Sequence, residues 1–124
     1  MNGWLGAAGA ISLATAGLHV FGGGPAINDP VQASTLPLLV RSVSEVVWHA
    51  ITAILVINGL ALLWGALDGR MVRLAWLVAV QYLAFAGLFV AYDISRFGSL
   101  MAMPQWILFL AMAFLAMLGL TRTA

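Results

Sequence analysis

The chain has 124 residues, of which 64% are apolar and only 7% are charged, and its formal net charge is +1. Soluble domains are about 45–50% apolar and about 25% charged, so this chain has too few charges to cover the surface of a water-soluble globule. The small net charge and the absence of cysteine exclude a nucleic-acid-binding protein and a secreted domain held by disulfides. The composition predicts an integral membrane protein in contact with the lipid bilayer.

Four apolar stretches are each long enough for a helix that crosses the hydrocarbon core of a bilayer, which takes about 20 residues. They cover approximately residues 4–21, 44–67, 72–94 and 105–120. The alternation of apolar and polar residues that is typical of barrel strands is missing. The sequence therefore predicts an all-α membrane protein with a single domain, residues 1–124, folded as a four-transmembrane-helix bundle with short loops.

The connections between the predicted spans differ in character. Asp68-Gly69-Arg70 is a tight polar turn, which makes the second and third spans antiparallel neighbours. The connection between the first two spans is longer, and we expect its Gly22-Gly23-Gly24-Pro25 stretch to break the first helix. Residues 30–43 include an apolar stretch, so they are either an interfacial or re-entrant segment or a plain surface loop.

Orientation rests on arginine, because the chain has no lysine. Arg70, Arg73 and Arg122 lie at one end of the predicted bundle, whereas Arg41 and Arg96 lie at the other. Cytoplasmic loops of membrane proteins carry an excess of basic residues. The balance of the arginines therefore predicts that both termini are cytoplasmic.

Ionisable side chains within a span are costly and often mark a functional site. In span two, Arg41, Glu45 and His49 recur at every fourth position on one helix face, with Trp48 and Thr52 on or beside it. The spacing lets Arg41 pair with Glu45, and Glu45 reach His49, which suits a proton relay or an oriented ligand. The alternative is an interfacial ion pair beside a histidine that bonds to a neighbouring helix. We expect Glu45 and His49 to face the bundle interior.

A second histidine, His19, lies near the end of span one and is expected at the same depth as His49. Two imidazoles at one level are the minimum for binding haem b between two histidines. With Glu45 as an oxygen donor, they are also candidate ligands for a transition metal. The alternative is two unrelated histidines that each form an ordinary hydrogen bond.

Further polar residues lie in spans two and three. Asp93 and Arg96 stand three residues apart near the end of span three, where we expect an interfacial ion pair at the same end as His19 and Glu45. Asn58 and Gln81 each lie in the middle of a span at a similar distance from the Asp68 turn. We expect these two side chains to form a hydrogen bond between the helices.

Two short stretches carry a resemblance to a known family: Ala16-Gly17-Leu18-His19 and Glu45-Val46-Val47-Trp48-His49. With them the chain resembles the small uncharacterised four-helix inner-membrane proteins of the YgdD type. In that family a histidine follows a Gly/Ala-rich first span, and an acidic residue precedes another histidine at the start of the second. The resemblance implies four spans and a bacterial inner (cytoplasmic) membrane, but it supplies no mechanism.

Three classes of function are compatible with these features. The leading hypothesis is a non-catalytic subunit or partner-binding bundle, within a larger membrane complex or a homo-oligomer, because the loops are too short to hold a catalytic domain. A haem- or metal-binding protein centred on His19 and His49 is the second. A small transporter or proton pathway that uses Glu45 and His49 is the third. An enzyme is the less favoured reading.

Overall fold

In a computed structural model, which describes residues 1–122, the chain forms four helices joined by short connections. They are α1 (Gly3–Gln32), α2 (Leu38–Leu67), α3 (Leu74–Phe97) and α4 (Gln105–Thr121). The prediction of an all-helical fold with four helices is confirmed. Helices α1, α2 and α3 are long and apolar enough to cross a membrane, whereas α4 is equally apolar but has only 17 residues.

The helices run alternately up and down around the bundle. Helix α1 packs extensively along α2 and also against α4, and α4 packs extensively along α3. The contact between α2 and α3 is much slighter, although a short 3-10 turn at Gly69–Met71 joins them directly. The bundle is therefore closed on three sides and has a looser seam between α2 and α3.

Small residues and a few polar groups form the interior where the helices cross. Gly9 and Gly59 meet at the crossing of α1 and α2, where a Cβ on Gly9 would lie only 2.8 Å from the Gly59 carbonyl oxygen. Nearby, the Ser12 hydroxyl donates to the Leu55 carbonyl at 2.7 Å and is also hydrogen-bonded to the buried hydroxyl of Tyr82. These contacts satisfy polar groups that would otherwise be costly in an apolar interior.

Helix α1 does not end at its glycines, so the predicted break at 22–25 is wrong. The chain passes from an α-helix over Gly3–Leu18 into a π-helical segment over His19–Asn28, which contains Pro25, and then into a last α-helical turn. In an α-helix, the proline ring would clash with the carbonyl four residues earlier. The wider π turn, with its bonds between residues five apart, relieves that clash. Most of residues 30–43 are consequently helical, with a short turn between Gln32 and Leu38.

At one end of the bundle, here called the level end, the four helices reach the same height, but they differ in length. At the level end, the Asn2 backbone N–H donates to the Ala66 carbonyl and its side-chain amide donates to the Gly119 carbonyl, both at 2.8 Å. Helices α1 and α2 each have 30 residues and α3 has 24. At the α-helical rise of about 1.5 Å per residue, α2 is about 45 Å long and α4 about 25 Å, and the same rise sets upper bounds of about 45 Å for α1 and about 36 Å for α3, whose π-helical segments rise less per residue. The far ends of α1 and α2, here called the hairpin tip (residues 27–43), therefore extend beyond the other two helices.

Candidate functional site

The predicted polar cluster lies at the hairpin end of the bundle, but its members do not converge on one centre. His19, Arg41 and Trp48 contribute to the contact between α1 and α2. Glu45 and His49 lie on the exposed surface of α2. Asp93 is buried near the end of α3. The cluster is thus three separate arrangements, each with its own geometry.

His19 forms a packing contact with Trp48. The two rings are stacked with their centroids 3.9 Å apart and their planes 19° apart, and His19 Nε2 lies 3.0 Å from the Trp48 carbonyl oxygen. Because a carbonyl oxygen only accepts, Nε2 is the protonated nitrogen in this contact. Gly23 makes room for the indole, since a Cβ there would lie 3.0 Å from Trp48 Cη2. The Thr52 hydroxyl donates to the same carbonyl at 3.4 Å.

Glu45 and His49 do not face the bundle interior, and that prediction is wrong. Both side chains are exposed, and neither forms a hydrogen bond or an ion pair with any residue in the range 1–122. The side of α2 that carries Trp48, Leu55 and Leu62 packs against the neighbouring helices. His49 follows Trp48 by one residue, which places it about 100° further round the helix.

The surroundings of the two histidines do not fit the predicted haem or metal site. His19 Nε2 is occupied by the Trp48 carbonyl, whereas His49 projects from the exposed surface of α2. Among residues 1–122, no three side chains of His, Cys, Asp or Glu are grouped closely enough to hold a metal ion. The donor set of His19, His49 and Glu45 is therefore not assembled within one chain.

Arg41 joins α1 to α2. It does not form the predicted pair with Glu45. Its Nη1 donates to the Gln32 carbonyl at 2.7 Å and its Nε donates to the Leu36 carbonyl at 3.1 Å. Gln32 returns a hydrogen bond from its side-chain amide to the Arg41 carbonyl at 3.1 Å. The guanidinium thus satisfies one carbonyl at the end of α1 and one in the following turn, and it fixes the hairpin turn.

Asp93 and Arg96 do not form the predicted ion pair. Asp93 is fully buried, and its Oδ1 accepts the Met103 backbone N–H at 2.9 Å, while its Oδ2 has no hydrogen-bond partner within residues 1–122. Arg96 is exposed and lies over the Tyr92 ring, with its Cζ 5.8 Å from the ring centroid. A π-helical turn over Asp93–Phe97 separates the directions of the two side chains. Asp93 instead fastens the loop that leads into α4.

The predicted hydrogen bond between α2 and α3 is present. Asn58 Nδ2 donates to Gln81 Oε1 at 2.6 Å across the looser seam of the bundle. The neighbouring hydrogen bond between Ser12 and Tyr82 was not predicted. The only signal for it in the sequence was the presence of two hydroxyl side chains in the middle of otherwise apolar spans.

The most extensive feature of the hairpin end is an exposed apolar surface. Leu38 and Leu39 are 70% and 75% exposed, and Val46 is 69% exposed. Other large apolar side chains exposed at this end of the bundle include Phe21, Ile27, Leu36, Val40, Val43 and Val47. Exposed apolar areas of this kind, when contiguous, mark contact with lipid or with another protein.

The chain matches no protein-family model, no curated protein and no solved structure. The geometry of the hairpin end is therefore the basis for assigning a function.

Proposed function

We propose that this protein is a non-catalytic integral membrane bundle that assembles with a protein partner through its hairpin end. The observation that carries the proposal is the length of α1 and α2 together with the apolar character of their tip. From the helix lengths, 30 residues against 24 and 17, the tip extends about 9 Å beyond α3 and about 20 Å beyond α4.

The thickness of a bilayer explains why this tip needs a cover. A hydrocarbon core of about 30 Å accommodates about 20 helical residues. If the hydrocarbon core begins at the level end of the bundle, its far boundary falls near residue 23 of α1, residue 47 of α2 and residue 93 of α3. The hairpin tip then lies beyond this boundary. Leu38 and Leu39 would then face water or lipid headgroups. Full burial of one such side chain contributes about 1.5–3 kcal/mol, which favours a protein surface against the tip.

The arginines support an orientation for the bundle. Arg70, Arg73 and Arg122 belong to the level end, and the excess of basic residues there supports an orientation in which this end and both termini are cytoplasmic. The hairpin tip then projects from the opposite side of the membrane. The resemblance to proteins of the YgdD type supports a bacterial inner membrane. A reporter fused after Ala124 and one inserted in the turn at 33–36 should report opposite sides of the membrane.

The other two hypotheses draw less support from the geometry. A haem or metal site needs His19 and His49 to share one centre, but they have different surroundings. A proton pathway through the bundle needs Glu45 and His49 in its interior, but both side chains are exposed on α2. Neither arrangement is favoured by a specific contact.

Photo-crosslinking in native membranes tests the proposal. A photoreactive amino acid replaces Leu39 in the hairpin tip, and a matched variant carries it at Leu88, which is 58% exposed on α3. We expect a protein adduct of defined mass from position 39 and lipid adducts alone from position 88. Lipid adducts alone from both positions would show that the tip has no protein partner.

A further inference from the structure

We propose that the partner is a second copy of this chain, which docks α2 against α2 so that Glu45 of each copy pairs with His49 of the other. The surface concerned, here called the outer face of α2, consists of the exposed residues Ser42, Val46, His49, Ala50, Ala53 and Ile57, with the exposed Glu45 at its edge beside His49. This inference rests on the proposed function, because it names the partner of the hairpin tip: Leu39 in the tip precedes Ser42 by three residues and Val46 by seven, so the outer face continues the exposed side of the tip down α2.

The outer face lies on the side of α2 opposite its buried residues. Helix α2 buries Leu55, Gly59 and Leu62 against its neighbours, and at about 100° per residue the outer face is on the far side of the helix. Helix α2 packs along α1 and touches α3 only slightly. Every residue of the outer face is exposed, so no helix within residues 1–122 covers it.

Side-chain size makes the outer face suitable for another helix. Ser42, Ala50 and Ala53 are small, and small residues let two helix backbones approach closely within a membrane. Val46 and Ile57, which are 69% and 63% exposed, flank them with apolar surface. The face thus combines small residues with larger apolar ones, as in a packed pair of helices.

Glu45 and His49 identify the occupant of this face as a second copy. The two residues lie one helical turn apart, and neither has a partner within residues 1–122. Two copies inserted with the same orientation have parallel α2 helices, and a two-fold axis between them makes each contact occur twice. Like residues of the two copies lie at the same height in this arrangement, so the acid of one copy meets the imidazole of the other along a diagonal, one helical turn apart.

The dimensions allow the reciprocal pairs to form. Four residues along a helix correspond to an axial offset of about 6 Å, and packed helix axes lie about 8–10 Å apart. Extended glutamate and histidine side chains that point towards the common axis bridge this separation. Each copy then gives a carboxylate partner to the other's imidazole and covers the other's outer face.

Single cysteine variants test the arrangement cleanly, because the chain has no cysteine of its own. Ala53→Cys lies on the outer face of α2, and Ala84→Cys is a matched control at an exposed alanine of α3. Mild oxidation in membranes should give a disulfide-linked dimer from Ala53→Cys and none from Ala84→Cys. Equal crosslinking of both variants, or of neither, would overturn the proposal.

A charge exchange tests the reciprocal pairs in the Ala53→Cys background. Glu45→His and His49→Glu should each weaken dimerisation roughly tenfold, as expected when a close charge pair is replaced by like groups. The variant with both exchanges should recover the dimer, because it restores one acid opposite one imidazole. Failure of the double exchange to recover crosslinking would overturn the pairing, provided that its helical circular dichroism matches that of Ala53→Cys.

The mass of the wild-type protein in mild detergent separates this inference from the proposed function. A mass of two chains supports the inference. A monomer, together with a heterologous protein adduct from the Leu39 probe, overturns the inference and leaves the proposed function standing. A monomer with lipid adducts alone contradicts both.

Discussion

The crossing of α1 and α2 at Gly9 leads to a prediction about stability. A Cβ added at Gly9 would lie 2.8 Å from the Gly59 carbonyl oxygen and 2.9 Å from Leu63 Cγ. The leucine side chain can rearrange, but the backbone carbonyl cannot, so Gly9→Ala forces the two helices apart. Overpacking of this kind costs about 1–3 kcal/mol, against which the better helix propensity of alanine contributes up to about 1 kcal/mol.

A matched variant isolates the steric part of this effect. Gly17 lies in the same α-helical segment of α1, and a Cβ there would meet no heavy atom within 4 Å. Gly17→Ala should therefore gain helix propensity alone. The difference in the free energy of unfolding between the two variants should be about 1–3 kcal/mol, with Gly9→Ala the less stable. Circular dichroism during an SDS titration in mixed micelles measures it. Equal stability would refute the close crossing as described.

Three further predictions concern polar contacts. A double-mutant cycle with Asn58→Ala and Gln81→Ala should show a coupling of about 0.6–1.7 kcal/mol, whereas strictly additive losses would contradict their hydrogen bond. His19→Ala should lower the unfolding free energy by about 1–3 kcal/mol through the lost stacking and hydrogen bond. His49→Ala should change the unfolding free energy of the monomer by less than about 0.5 kcal/mol. A larger loss from His49→Ala than from His19→Ala would contradict the packing described for the two histidines. Hydrogen bonds from Arg70 hold the pKa of Asp68 below its usual value. The stability that these hydrogen bonds contribute is present above the pKa of Asp68 in the unfolded chain, and it is lost as the pH falls through the lowered pKa of the folded protein. Carboxyl NMR titration of the wild type and of Arg70→Ala should show a higher pKa of Asp68 in the variant.

Several features of the fold follow directly from the sequence. The four helices were predictable because apolar stretches of sufficient length are separated by Gly-, Pro- or charge-containing segments. The hydrogen bond between Asn58 and Gln81 was predictable because the tight turn at Asp68 sets the register of α2 against α3. The continuation of α1 through Pro25 was not, since it depends on a π-helical segment for which residue propensities give no signal.

The direction of the polar face of α2 was also beyond sequence reasoning. The spacing of Arg41, Glu45 and His49 does place them near one another on the helix surface. Because most of α2 carries apolar residues on all its sides, however, this periodicity does not determine which side faces the bundle. That choice is made by close packing lower in the helix, where Gly59 meets Gly9.

If the bundle spans a bilayer, as we propose, its unequal helix lengths have a consequence for the surrounding lipid. Helix α4, with 17 residues, is about 5 Å shorter than a hydrocarbon core of about 30 Å, so a bilayer that the bundle spans must thin beside it or draw in the loop at 98–104. Beside α1 and α2 the same bilayer meets a hydrophobic surface that is too long. Such opposite mismatches on two flanks favour a tilted bundle, and the tilt depends on bilayer thickness. Thicker membranes would submerge more of the α1–α2 hairpin, so lipid composition alone would tune how much of it is open to a partner.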